Sequence, residues 1–180
     1  MKRQLMRATL FVAALAGLIA AAQDKYTAKV PGGLAFSEFR GYEDWQTIAV
    51  SHNGNAIAVI LGNPAMIDAY RAGIPANGKS VPDGARMAKV HWASKQNKFF
   101  PGATVPGKLL NVDFMVKDGK RFADSGGWGY AVFEYDAASD AFRPGDKAST
   151  PPQGNDARCG FACHTAAKGT DYVFTEYGKR

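Results

Sequence analysis

From Leu109 to Val116 the side chains alternate, with Leu110, Val112, Phe114 and Val116 on one side and Leu109, Asn111, Asp113 and Met115 on the other. A period of two belongs to a strand and not to a helix, because successive Cβ atoms of a strand point to opposite faces. The same patterning recurs in Trp45 to Val50, Ala56 to Leu61, Arg86 to Ala93 and Trp128 to Tyr135. In the third of these it places Ala88, Val90 and Trp92 on one face, and Met87, Lys89 and His91 on the other. Turn-forming clusters separate the segments, among them Asn53-Gly54, Pro82-Asp83-Gly84 and Gly126-Gly127. Short strands punctuated in this way predict an α+β chain: mostly antiparallel β-sheet with a few short helices, in a single domain.

The helices are few. Pro64 to Ala72 is the clearest, since Asn63 can cap its free N–H groups, Pro64 suits the first turn and Gly73 suits the stop. Its apolar positions, Ala65, Met66, Ala69 and Tyr70, cover one face. Phe36 to Arg40 reads as a shorter helical stretch ending at Gly41. His52-Asn53-Gly54-Asn55 reads as a hairpin turn built on Asn53-Gly54. Pro101, Gly102, Pro106 and Gly107 mark a loop before Leu109. After Asp118-Gly119 a hairpin and a helical turn at Lys120 to Ala123 both fit. Arg143 to Arg158, polar and carrying Pro144, Pro151 and Pro152, reads as a loop.

The first 22 residues have the make-up of a secretion signal rather than of a fold. Lys2, Arg3 and Arg7 form a basic start, Ala8 to Ala22 is uncharged and apolar, and Ala20-Ala21-Ala22 offers a cleavage site before Gln23. The run is short for a membrane span, and no Cys follows it to carry a lipid anchor. The expectation is export to the periplasm and a mature domain from Gln23 to Arg180, with a retained anchor as the alternative. Removing the leader takes the formal charge from +6 to +3. No basic run is interleaved with aromatics, so the sequence predicts no nucleic-acid partner.

Both cysteines of the chain fall in one window, Cys159-Gly160-Phe161-Ala162-Cys163-His164. In an oxidising compartment such a pair has three fates. Two thiols beside a histidine can attach a c-type haem, with the thiols adding to the vinyl groups and His164 reaching the iron. The common attachment motif has two residues between the cysteines and this window has three, so the extra residue must bulge, and Gly160 would permit that. The second fate is a Cys159–Cys163 disulfide with His164 an ordinary surface residue. The third is zinc, for which two Cys and one His leave the site a ligand short.

Several stretches beyond the window carry a family resemblance. They are Gly41-Tyr42-Glu43-Asp44-Trp45, Leu61-Gly62-Asn63-Pro64, Pro82-Asp83-Gly84, Ala88-Lys89-Val90-His91-Trp92 and Val112 to Asp118. Ser125 to Ala131, and Cys163-His164 followed by Asp171-Tyr172-Val173-Phe174-Thr175, complete the set. In order and spacing these resemble the cytochrome P-460 family, which includes the cytochromes c-prime-beta. The resemblance implies a β-rich subunit, usually a homodimer, with one pentacoordinate haem c on a C-terminal motif. Some members oxidise hydroxylamine and nitric oxide and bear a lysine cross-linked to the porphyrin. Others lack the cross-link and bind nitric oxide or carbon monoxide at an apolar face.

The resemblance makes Lys89 the candidate for the cross-link, ahead of Lys95 and Lys98, although a strand lysine commonly just reaches water. Asp113 is the candidate base for taking protons from a substrate. Met87, Met115, Phe99 and Phe100 are candidate pocket walls, and His52 and His91 read as structural or exposed. Three functions follow: an oxidoreductase passing electrons from hydroxylamine or nitric oxide to a periplasmic carrier, a gas-binding or electron-transfer haem protein, and a non-haem binding module with its cysteines oxidised. Sequence alone leaves the enzyme and gas-binding readings both open.

Overall fold

A computed structural model describes residues 24–29, 33–145 and 157–180. The expected leader and most of the polar run before the cysteine window lie outside the described residues. Six strands form one sheet: β1 (Gln46–Asn53), β2 (Ala56–Gly62), β3 (Arg86–Gln96), β4 (Thr104–Lys117), β5 (Trp128–Asp136) and β6 (Ala141–Pro144). Their order in the sheet is their order in the chain, and every neighbouring pair is antiparallel. The expected α+β architecture is therefore a six-stranded meander.

Alternation sends the apolar residues to both faces of this sheet, and each face has its own cover. On one face Ala88, Val90, Val112, Phe114 and Phe133 pack under Phe36, Phe39 and Tyr42 from 3-10 turns that precede β1. Phe39 stacks on Phe114 with ring centroids 4.0 Å apart. On the other face Ile48, Ile60, Met87, Met115, Trp128 and Tyr130 pack beneath helix α1 (Pro64–Arg71) and Val173 of the C-terminal segment. The Asn63 side chain accepts from the Met66 N–H at 3.1 Å and from the Arg86 N–H at 2.9 Å, so one cap fastens α1 to β3. Gly73 follows α1 at φ +78°, a conformation that costs glycine little. Ile67 is buried with Met66 and Ala69, which widens the apolar face beyond the expected positions.

Four local expectations are corrected. The first hairpin turns on Gly54-Asn55, one residue later than expected, because Asn53 still pairs with Ala56. Strand β4 begins at Thr104 and includes Pro106 and Gly107, which sequence had assigned to a loop. The β3–β4 register is irregular beside Trp92, which pairs with Leu109, while His91 pairs with Asn111. Leu110 is thereby unpaired and 36% exposed, and Leu109 packs on the Phe114 face in its place. A single extra residue in one strand flips the alternation there. At Gly107, near this irregularity, a Cβ would come within 2.8 Å of the Ala93 carbonyl oxygen, so the close approach requires glycine.

Last, β6 forms within the segment expected to be loop, pairing Ala141 to Pro144 with β5. After β4 the chain takes the helical turn rather than a hairpin, since the Phe122 N–H donates to the Asp118 carbonyl at 3.0 Å.

Candidate functional site

Helix α2 (Ala157–His164) carries the cysteine window and lies against β5. The sequence allows that closeness at one position. A Cβ on Gly160 would sit 2.9 Å from the Tyr130 Cβ, so only glycine lets the helix approach this strand. The window is a continuous helix, which corrects the expectation of a bulge at Gly160: the glycine serves contact with β5, and the three-residue spacing is taken up by one helical turn. Residues four apart share a helix face. Gly160 and His164 accordingly face a cavity, while Cys159 and Cys163 form the neighbouring exposed stripe, both as free thiols.

The cavity, about 190 Å³, is walled by Ile60, Met87, Met115 and Tyr130 from the sheet and by Val173 and Phe174 from the C-terminal segment. Polar groups enter it from His164 on α2, Lys89 on β3 and Asp113 on β4. Lys89 and Asp113 are register partners on adjacent strands, so alternation brings both to the same face. The Asp113 carboxylate is held by His91 Nε2 at 2.9 Å and by the Asn111 side-chain amide. No hydrogen bond or ion pair of the described residues engages the Lys89 ammonium.

His164 has the tightest definition. Its Nδ1 lies 2.7 Å from the Tyr172 carbonyl oxygen. A carbonyl only accepts, so Nδ1 carries the proton and Nε2 keeps its lone pair. The ring sits between Tyr130 and Phe174, at centroid distances of 5.1 and 4.9 Å. Burial lowers its pKa, and the Lys89 charge adds to that against the opposing pulls of the Tyr172 carbonyl and Asp113. The imidazole is thus held neutral, with one nitrogen available as a ligand. Burial likewise pushes the Tyr130 phenol well above its ordinary value.

The expected site residues therefore converge in part. Lys89, Asp113, His164, Met87 and Met115 meet at one cavity. Phe99 and Phe100 do not: they are 89% and 70% exposed at the tip of the β3–β4 ribbon. Lys95 and Lys98 are also absent from the cavity lining. His91, expected to be structural or exposed, proves to be the anchor of Asp113. Strand alternation did not single out Tyr130 as a wall residue, although its parity with Trp128 carries that signal. The Tyr172 carbonyl is a backbone group and has no side-chain signature at all. Among the described residues no three His, Cys, Asp or Glu side chains converge as a metal cluster.

A neutral imidazole with a fixed tautomer, two thiols one turn apart on the same helix and an apolar wall suit a haem group. An antiparallel sheet that carries such a site fits the class of haem-binding cytochromes. Residues 39–175 match the Cytochrome P460 family model, and the chain belongs to that family. A comparison with curated proteins gives no match.

Proposed function

We propose that this cytochrome is a periplasmic mono-haem c-type protein that binds and oxidises small nitrogen compounds, hydroxylamine and nitric oxide, and passes the electrons to a periplasmic carrier. The observation that carries the reading is the convergence of His164, Lys89 and Asp113 on one apolar cavity. Cys159 and Cys163 would hold the haem through their sulfurs, and His164 would bind its iron through Nε2. Bound haem would supply an iron able to exchange electrons and to bind a small ligand.

The remaining work falls to the chain's own side chains. Met87, Met115 and Ile60, all buried, line the cavity with apolar surface, and this low-dielectric wall strengthens the electrostatic interactions made beside it. Asp113 accepts protons as hydroxylamine is oxidised, and His91 and Asn111 hold its carboxylate in place for that task. Lys89 lines the same wall, without a hydrogen-bond or ion-pair partner among the described residues, and is the side chain placed to carry a cross-link to the porphyrin.

The test is the ferrous spectrum of protein matured in a periplasm with an active haem-attachment system. A strongly red-shifted Soret band in the parent, returning to an ordinary c-type position in Lys89→Ala, is expected. Identical spectra for the two would remove the cross-link and leave gas binding or electron transfer as the function.

A further inference from the structure

Asp171 and Tyr172 are consecutive non-glycine residues in the left-handed region, at φ +50° and +64°. Each such residue is disfavoured there, more so a bulky aromatic, and persists only where surrounding contacts enforce it. Here the enforcement can be traced atom by atom. The Lys117 ammonium reaches both Asp171 carboxylate oxygens, at 2.9 and 3.0 Å, and the Gly126 carbonyl at 3.0 Å. Asp171 Oδ2 also accepts from the Val81 N–H at 2.8 Å. The Asp171 carbonyl accepts from Trp128 Nε1 at 2.8 Å, and the Tyr172 N–H donates to the Ala167 carbonyl at 2.8 Å. The Tyr172 ring lies over Gly126, where a Cβ would come within 2.3 Å of it.

These contacts tie the two left-handed residues to the ends of β4 and β5 and to the segment before β3. Their output is a single backbone group, the Tyr172 carbonyl, aimed at His164 Nδ1. The ion pair is well shielded, with side chains only 8% and 12% exposed. A buried pair is weak evidence for added stability, because desolvation offsets much of the Coulomb attraction. Its use here lies in direction: it fixes the peptide that orients the imidazole.

We propose that Lys117 and Asp171 are positioning residues for the axial histidine, acting through the Tyr172 carbonyl to set the donor strength of His164. A carbonyl accepting from Nδ1–H fixes the ring and makes Nε2 a stronger donor, and losing such a partner commonly costs about 10–100-fold in metal affinity or activity. This inference rests on the reading of His164 as the haem ligand.

Resonance Raman spectroscopy of the ferrous holoprotein, with its midpoint potential, tests it in Lys117→Met, Asp171→Asn and Lys117→Arg. The iron–imidazole stretch is expected to fall in frequency and the potential to rise in Lys117→Met and Asp171→Asn, while Lys117→Arg stays near the parent. If Lys117→Met yields no folded holoprotein, the near-isosteric Asp171→Asn carries the comparison. A lowered melting temperature with the parent's stretching frequency and potential would make the pair a fold stabiliser only, and overturn the proposal. A parent protein with no iron–imidazole band would instead overturn the ligand assignment on which the proposal stands.

Discussion

His164 donates from Nδ1 to the Tyr172 carbonyl at 2.7 Å, and the two residues lie eight apart on either side of a 3-10 segment, Thr165–Thr170. The connection makes the C-terminal chain fold back over α2, bringing Val173 and Phe174 to the cavity whose far wall is β3, β4 and β5. One hydrogen bond thus fixes the tautomer of the candidate ligand and the position of part of its pocket.

Replacing the candidate ligand or the cysteine beside it should be decisive. His164→Ala and Cys163→Ala are expected to abolish normal haem incorporation in protein matured in the periplasm, read from the absorption spectrum and haem stoichiometry. Ordinary c-type spectra in both variants would remove the window from the site.

Gly160→Ala sets two effects of opposite sign against each other. In an unhindered helix the change favours the helix by about 1 kcal/mol. Against β5 the new methyl group meets Tyr130 at 2.9 Å, and overpacking of this kind costs about 1–3 kcal/mol. The clash is expected to dominate, lowering both the melting temperature and the yield of haem-loaded protein. A raised melting temperature would show that α2 does not press on Tyr130.

Asp113→Asn removes the base but keeps the size of the side chain. Hydroxylamine oxidation should fall by about 10²–10⁴-fold, the usual share of a positioned base. Haem content and the resting spectrum should stay at parent values, since Asp113 is not among the attachment residues. His91→Gln is expected to give a smaller loss, because Asn111 still holds the carboxylate. Undiminished turnover in Asp113→Asn would end its catalytic assignment.

Alkaline pH offers a test of the packing around the site. Burial raises the phenols of Tyr42, Tyr70 and Tyr130, and Tyr42 is pushed up to about 12. Unfolded tyrosines ionise near 10. Between those values the unfolded chain releases protons that the folded chain keeps, so stability falls as pH rises. The contribution is complete below about pH 10 and is lost as the pH climbs toward 12. Ultraviolet titration should find these three tyrosines un-ionised at a pH where exposed ones have titrated, and denaturant should release them. Simultaneous ionisation of all tyrosines in folded protein would contradict the packing described.

Much of the fold was legible because alternation is a property of consecutive residues. Val112, Phe114 and Val116 could be assigned to one face, and Lys89 and Asp113 each to the opposite side of its strand, without knowing their neighbours; that the two meet at one cavity needed the strand register. The failures share a physical cause. Leu109 and Leu110 exchange places because register beside Trp92 depends on pairing with another strand, which local pattern does not encode. Gly160 offers conformational freedom and absence of a side chain alike, and only the proximity of Tyr130 shows which of the two is used. The Lys117–Asp171 pair joins segments far apart in the chain, so no spacing rule could reveal it, and the Tyr172 carbonyl is a backbone group that no side-chain pattern marks. The cysteine window stood out in the sequence by its spacing, but its helical form and its seat on Tyr130 emerge only in the packed structure.

The central claim is that Cys159, Cys163 and His164 hold a covalently attached haem. The most direct measurement is denaturing gel electrophoresis of periplasm-matured protein stained for haem, with the pyridine haemochrome spectrum of the same sample. Haem retained through denaturation, with a haemochrome showing both vinyl groups saturated, is the predicted result. Protein without covalent haem, its two cysteines joined as a disulfide, would contradict the account.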